Sequence, residues 1–197
     1  DGEPAVTAAL ERLRAAGLVG YSEKTGYKLQ SSAGQEWQRE REEFSAPPDL
    51  VSAAVQEALE RLMADVDKPK LGTRAFPWLA LYSDGRHASD VRVRRTTADA
   101  VVTVDFRWVA APERAADDWL RRSKEEVALK DRFLWVVGTP GRTEEIGHRL
   151  VKSRRMRDRY APRRESLSAA RQSLLRAEGD LIVELEKQLR QTVNEAF

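Results

Sequence analysis

The chain has 197 residues, 41% hydrophobic and 34% charged, which suits one large or two small domains and argues against disorder throughout. It has no cysteine, so disulfides and thiolate metal sites are excluded and a reducing compartment is permitted. The net charge of +2 hides a local excess: residues 142–164 hold 9 Lys/Arg against 3 Asp/Glu, whereas 1–48 hold 6 against 8 and 165–197 hold 4 against 6.

No apolar run approaches the roughly 18 residues of a membrane span, and no signal peptide is legible. No membrane partner is expected, and a cytoplasmic location is. The chain begins at Asp1 rather than Met and is read as a piece of something longer.

Residues 4–16 predict an amphipathic helix with Val6, Ala9, Leu10 and Leu13 on one face and Gly17 as its C-terminal cap. Two short apolar runs, 18–21 and 27–29, flank a polar loop with Gly26 and predict a hairpin. Ser31 or Ser32 can cap a helix to about Phe44, anchored by Trp37. Helix, hairpin and helix in this order resemble part of a winged-helix domain, in which the helix before the hairpin often enters the major groove. That helix carries Glu3 and Glu11 beside Arg12 and Arg14, and the segment is net acidic, which favours protein contact or scaffolding over DNA reading.

Residues 45–49 (SAPPD) predict a linker and a domain boundary. Residues 50–63 predict a helix whose stripe is Val51, Val55, Leu59 and Leu62 or Met63. A loop over 65–72 precedes an apolar strand, 76–82, then a turn at 83–86 and an alternating strand at 90–94. Residues 100–109 alternate most clearly, with Val102, Val104, Phe106 and Trp108 opposite Thr103, Asp105 and Arg107. This predicts a half-solvated strand, antiparallel to its neighbour. Residues 112–130 predict a charged helix anchored by Trp119, Leu120, Val127 and Leu129. A core strand at 133–137 follows. Then come a helix capped by Thr139 with Pro140 at its first position, and a long closing helix from Arg163 to Phe197 that kinks near Gly179.

The loop 138–143 (GTPGRT) sits where a phosphate cradle would, between strand and helix. It lacks the Gly-Lys-Ser/Thr of a Walker A motif, and Glu144 and Glu145 oppose an anion, so it reads as a helix cap. His87 and His148 have no second ligand at helical spacing, and no carboxylates are set as an acid/base pair. Catalysis and a metal site are not expected in this segment.

The candidate binding residues are Arg149, Lys152, Arg154, Arg155, Arg157, Arg159, Arg163 and Arg164. Arg149, Lys152, Arg155 and Arg159 share one helical face. Such a stripe can track a phosphate backbone, dock an acidic protein, or pair internally with Glu178, Glu184 and Glu186. Only Tyr160 offers nearby stacking.

The FLWVV strand, the Pro-bearing turn, the basic helix and the long helix ending in AF form one pattern with the upstream LVGYSEKTGYKLQSSAGQEWQRE. Together they resemble the region after the ATPase core in P-loop proteins of the BrxC/PglY type. Those proteins belong to bacteriophage-exclusion (BREX) and phage-growth-limitation systems. The resemblance implies a parent that binds ATP and magnesium, although the Walker motifs lie outside these residues. It also implies partners among the other proteins of the defence system, with DNA as a further partner.

The expected fold is α+β. A partial winged-helix unit (1–45) precedes a mixed or antiparallel sheet of about four strands packed with helices (50–140), then a basic helix and a long closing helix on the sheet domain (141–197). The expected function is a non-catalytic interaction module of a phage-defence ATPase. The alternative is a stand-alone winged-helix nucleic-acid binder using the arginines of 149–164.

Overall fold

The computed structural model describes all residues except 1–2, 16–18, 23–25, 30, 85–90, 95–101, 110–111 and 197. The chain is α+β, with six α-helices and a four-stranded mixed sheet among the described residues. Its contacts group Asp1–Ser45 with Lys152–Val183, and Ala46–Val151 with Glu184–Phe197. The first cut falls within the SAPPD linker. The segment 141–197, expected as one body on the sheet domain, contributes instead to both units.

In the first unit, helix α1 (Glu3–Ala15) leads to a hairpin of β1 (Val19–Ser22) and β2 (Gly26–Leu29). Gly26 has φ +68°, a left-handed turn position that suits a residue without Cβ. The α1 stripe is not a core face: Val6 and Leu13 are both exposed. The Gly17 cap lies outside the described residues. Helix α2 (Ser32–Glu43) begins as its sequence dictates, the Ser31 hydroxyl accepting from the Gly34 amide at 3.2 Å. Its Trp37 packs with Met156, Tyr160 and Leu175 as the buried cluster of this unit.

The second unit holds helix α3 (Pro48–Ala64), which buries Val51, Val55, Leu59 and Met63 as its periodicity requires. The expected loop at 65–72 contains part of a two-residue hairpin, β3 (Lys70–Leu71) with β4 (Arg74–Ala75), turned at Gly72 with φ +60°. The main sheet has the order β6-β5-β7-β8, from β5 (Trp78–Ser83), β6 (Val91–Arg94), β7 (Val102–Val109) and β8 (Arg132–Gly138). Strand β6 is antiparallel to β5, while β7 is parallel to both β5 and β8. The antiparallel expectation for β7 is thereby corrected, because the residues between β7 and β8 include α4 (Pro112–Glu125), a helical crossover that returns the chain in the same direction.

That topology also corrects the half-solvated reading. Asp105 is fully buried because Trp119 of α4 stacks near Arg107 on the polar face of β7, 5.4 Å from guanidinium to ring centroid. Leu120 and Val127 are exposed rather than anchoring, and a short 3₁₀ turn (Val127–Leu129) buries only Leu129. Strand β8 was expected in the core. It is an edge strand, with Phe133 68% and Trp135 46% exposed.

Helix α5 (Thr143–Tyr160) starts later than the Thr139 cap implies, since the Thr143 amide first closes a turn onto the Pro140 carbonyl at 3.0 Å. A 3₁₀ segment (Ala161–Ser166) separates it from helix α6 (Ala169–Ala196). No break occurs at Gly179. The buried positions of α6 are Leu175, Glu178, Ile182, Leu185, Leu189 and Val193, a single helical stripe in which one member is a carboxylate.

Candidate functional site

Two helices of the first unit assemble the basic cluster: α2 supplies acids and the second half of α5 supplies cations. Glu36, Glu40 and Glu43 recur at helical spacing on α2. Arg159 pairs with Glu40 at 2.8 Å and Lys152 with Glu42 at 2.9 Å. Lys152 also donates to the Glu42 carbonyl at 3.0 Å. From α6, Arg171 pairs with Glu36 at 3.3 Å.

Tyr160 stands at the centre. Its ring lies 4.7 Å from that of Trp37, and its hydroxyl donates to Glu40 at 2.5 Å. Burial, then the hydrogen bond to the Glu40 carboxylate, raises the Tyr160 pKa above the ordinary tyrosine value. Arg163, Arg159 and Arg171 place their guanidinium carbons 4.8, 5.8 and 5.9 Å from this ring.

Beneath the cluster, buried Glu178 accepts from the Trp37 indole at 2.7 Å and pairs with Arg41 at 3.3 Å. The pairing expected for the arginine stripe used Glu178, Glu184 and Glu186. Glu178 is taken by α2, Glu186 pairs with Arg61 at 3.2 Å, and Glu184 accepts from Gln188. The partners that sequence reasoning missed were the glutamates of α2. Their spacing was visible, but not that α2 lies against α5.

The remaining candidates divide. Arg149, in the second unit, pairs with Glu145 at 4.0 Å within α5, and Arg157 with neighbouring Asp158 at 3.0 Å. Arg154 is half-buried. Arg155, Arg163 and Arg164 have no carboxylate partner among the described residues.

In the second unit, Asp105 accepts from Arg107 at 2.7 Å and from Arg132 at 3.0 Å. Both its oxygens are engaged by guanidinium groups, an arrangement that locks the strand pair together. In the loop of residues 138–143 the Thr139 amide binds the Val109 carbonyl at 3.1 Å, and the Thr143 amide is likewise consumed. His148 lies 3.8 Å from Glu144, and His87 falls outside the described residues. Among the described residues no three His, Cys, Asp or Glu side chains stand together as a metal site, and no helix is long and apolar enough to cross a membrane.

Comparison with protein-family models, curated proteins and solved structures finds no match for this chain.

Proposed function

We propose that this chain is a non-catalytic interaction and scaffolding module that works through partner proteins. The observation that carries the reading is the pairing of α5 with α2: Lys152 and Arg159 are tied to Glu42 and Glu40. A cation paired with a carboxylate must give up that pair to meet a phosphate, which favours a role for those two side chains in the fold of the unit over one on a phosphate backbone. The net acidic helix–hairpin–helix segment around α1 points the same way. Following the BrxC/PglY resemblance, the module would lie after the core of a phage-defence P-loop ATPase. ATP and magnesium would belong to that core and to no residue here, and the partners would be other proteins of the system.

The test is direct. Each purified protein of such a system is mixed with this chain and followed by sedimentation velocity. A stoichiometric complex with one of them supports the reading, and no complex with any of them overturns it.

A second reading, nucleic-acid binding, draws on one observation. Arg155, Arg163 and Arg164 lack carboxylate partners among the described residues, which leaves three cations on the cluster for an outside anion.

A further inference from the structure

Three guanidinium groups reach the Tyr160 ring, and two of them are already held. Arg159 pairs with Glu40 and Arg171 with Glu36. Arg163 stands over the ring at 4.8 Å with no carboxylate partner among the described residues. Stacking uses the face of a guanidinium and leaves its N–H edge open, the edge that meets a carboxylate in bidentate pairing. The ring is itself fixed, by Trp37 at 4.7 Å and by the hydrogen bond of its hydroxyl to Glu40. Arg163 is therefore positioned by packing and open on its polar side. Its backbone leaves the helical region (φ −115°, ψ 25°) within the 3₁₀ segment Ala161–Ser166. The next residue, Arg164, is exposed and also without a carboxylate partner among the described residues. Arg155, half-buried and likewise unpaired there, lies one turn before Arg159 on the same face of α5.

We propose that Arg163 and Arg164, flanked by Arg155, dock an acidic peptide segment of a partner protein. The assignment rests on the interaction-module reading above and names the chemistry of the partner. The nearby acids do not cancel this surface. Asp158 is paired with Arg157, and exposed Glu165 offsets one of the three cations, so a positive excess remains. Charge also selects a peptide over a nucleic acid. Three unpaired cations meet about three phosphates, whereas a firm grip on a duplex takes roughly 6–10 such contacts. Asp158 and Glu165 interrupt the basic run, and Glu36 and Glu40 stand beside Arg171 and Arg159. A continuous phosphate backbone has to pass those carboxylates. A short acidic segment can place its own carboxylates on the open guanidinium groups alone.

The probe is a fluorescently labelled peptide of alternating Glu and Ser, titrated with the whole chain and read by anisotropy at about 50 mM and about 200 mM salt. Salt-sensitive binding is expected. Arg163→Glu with Arg164→Glu should weaken it about tenfold or more, with the circular dichroism spectrum unchanged. Arg163→Lys keeps the charge but loses the planar fork, and should weaken it as well. Lys130→Glu with Arg142→Glu makes the same change of charge at exposed positions of the other unit and should leave binding within about twofold. No binding at the lower salt overturns the proposal. So does a loss that is equal in the two double variants, or duplex DNA that displaces the peptide at a lower concentration than unlabelled peptide does. A stoichiometric partner complex that survives Arg163→Glu with Arg164→Glu overturns this surface and leaves the interaction-module reading standing. The lack of any partner complex overturns both.

Discussion

Trp37 donates its indole N–H to Glu178 at 2.7 Å, joining residues 141 positions apart in a site where the carboxylate is buried. Arg41 holds the other oxygen at 3.3 Å, so one carboxylate ties α2 to α6. Removing one partner of a buried pair leaves the other desolvated and uncompensated. Glu178→Ala is therefore expected to cost about 3 kcal/mol, measured by urea unfolding followed through tryptophan fluorescence. Arg41→Met in the Glu178→Leu background should recover part of that loss, because an apolar pair of similar volume carries no unpaired charge.

Gly179 tests the continuity of α6. A Cβ built there meets nothing within 4 Å, and the helix runs unbroken through it. Gly179→Ala should stabilise the protein by about 0.5–1 kcal/mol, read as a rise in Tm. A kink requiring glycine at this position would reverse the sign.

Gly147 has the opposite environment. A Cβ there would lie 2.7 Å from Cγ1 of Val51, where α5 meets α3. Gly147→Ala should cost about 1–3 kcal/mol through overpacking, although alanine is the better helix former. Pairing it with Val51→Ala should cost less than the sum of the two single changes, the expected signature of a steric contact in a double-mutant cycle.

Tyr160 makes stability depend on alkaline pH. Its folded-state pKa is raised above 10.0, so its contribution is full at neutral pH. The contribution falls as pH rises through the interval between that ordinary value and the raised one, because the unfolded tyrosine ionises first. Tyr160→Phe should remove one tyrosine absorbance that titrates above pH 10.0 and flatten the stability profile there.

Local signals carried most of the elements. The Ser31 cap, the α3 stripe and the alternation of β7 each depend on neighbours in sequence, and each appears where its pattern placed it. Long-range facts were hidden. The direction of β7 follows from its crossovers, and Asp105 is buried by arginines on β7 and β8 together with Trp119 of a separate helix. The expected kink near Gly179 arose because Glu178 occupies a core position, where hydrophobic periodicity counts a carboxylate as a gap. The arginine run was legible as a cluster. The pairing of Lys152 and Arg159 was not, since their acids come from α2, more than a hundred residues upstream.

The central claim, that the α5 cations serve the fold more than a nucleic acid, meets its most direct test in a titration of labelled duplex DNA. Anisotropy is read at about 50 mM and about 200 mM salt, for the wild type and for Arg155→Glu with Arg159→Glu. The account predicts no salt-sensitive binding by either protein, and a lower Tm for the variant because Glu40 loses Arg159. Tight wild-type binding that falls steeply with salt and vanishes in the variant would contradict it.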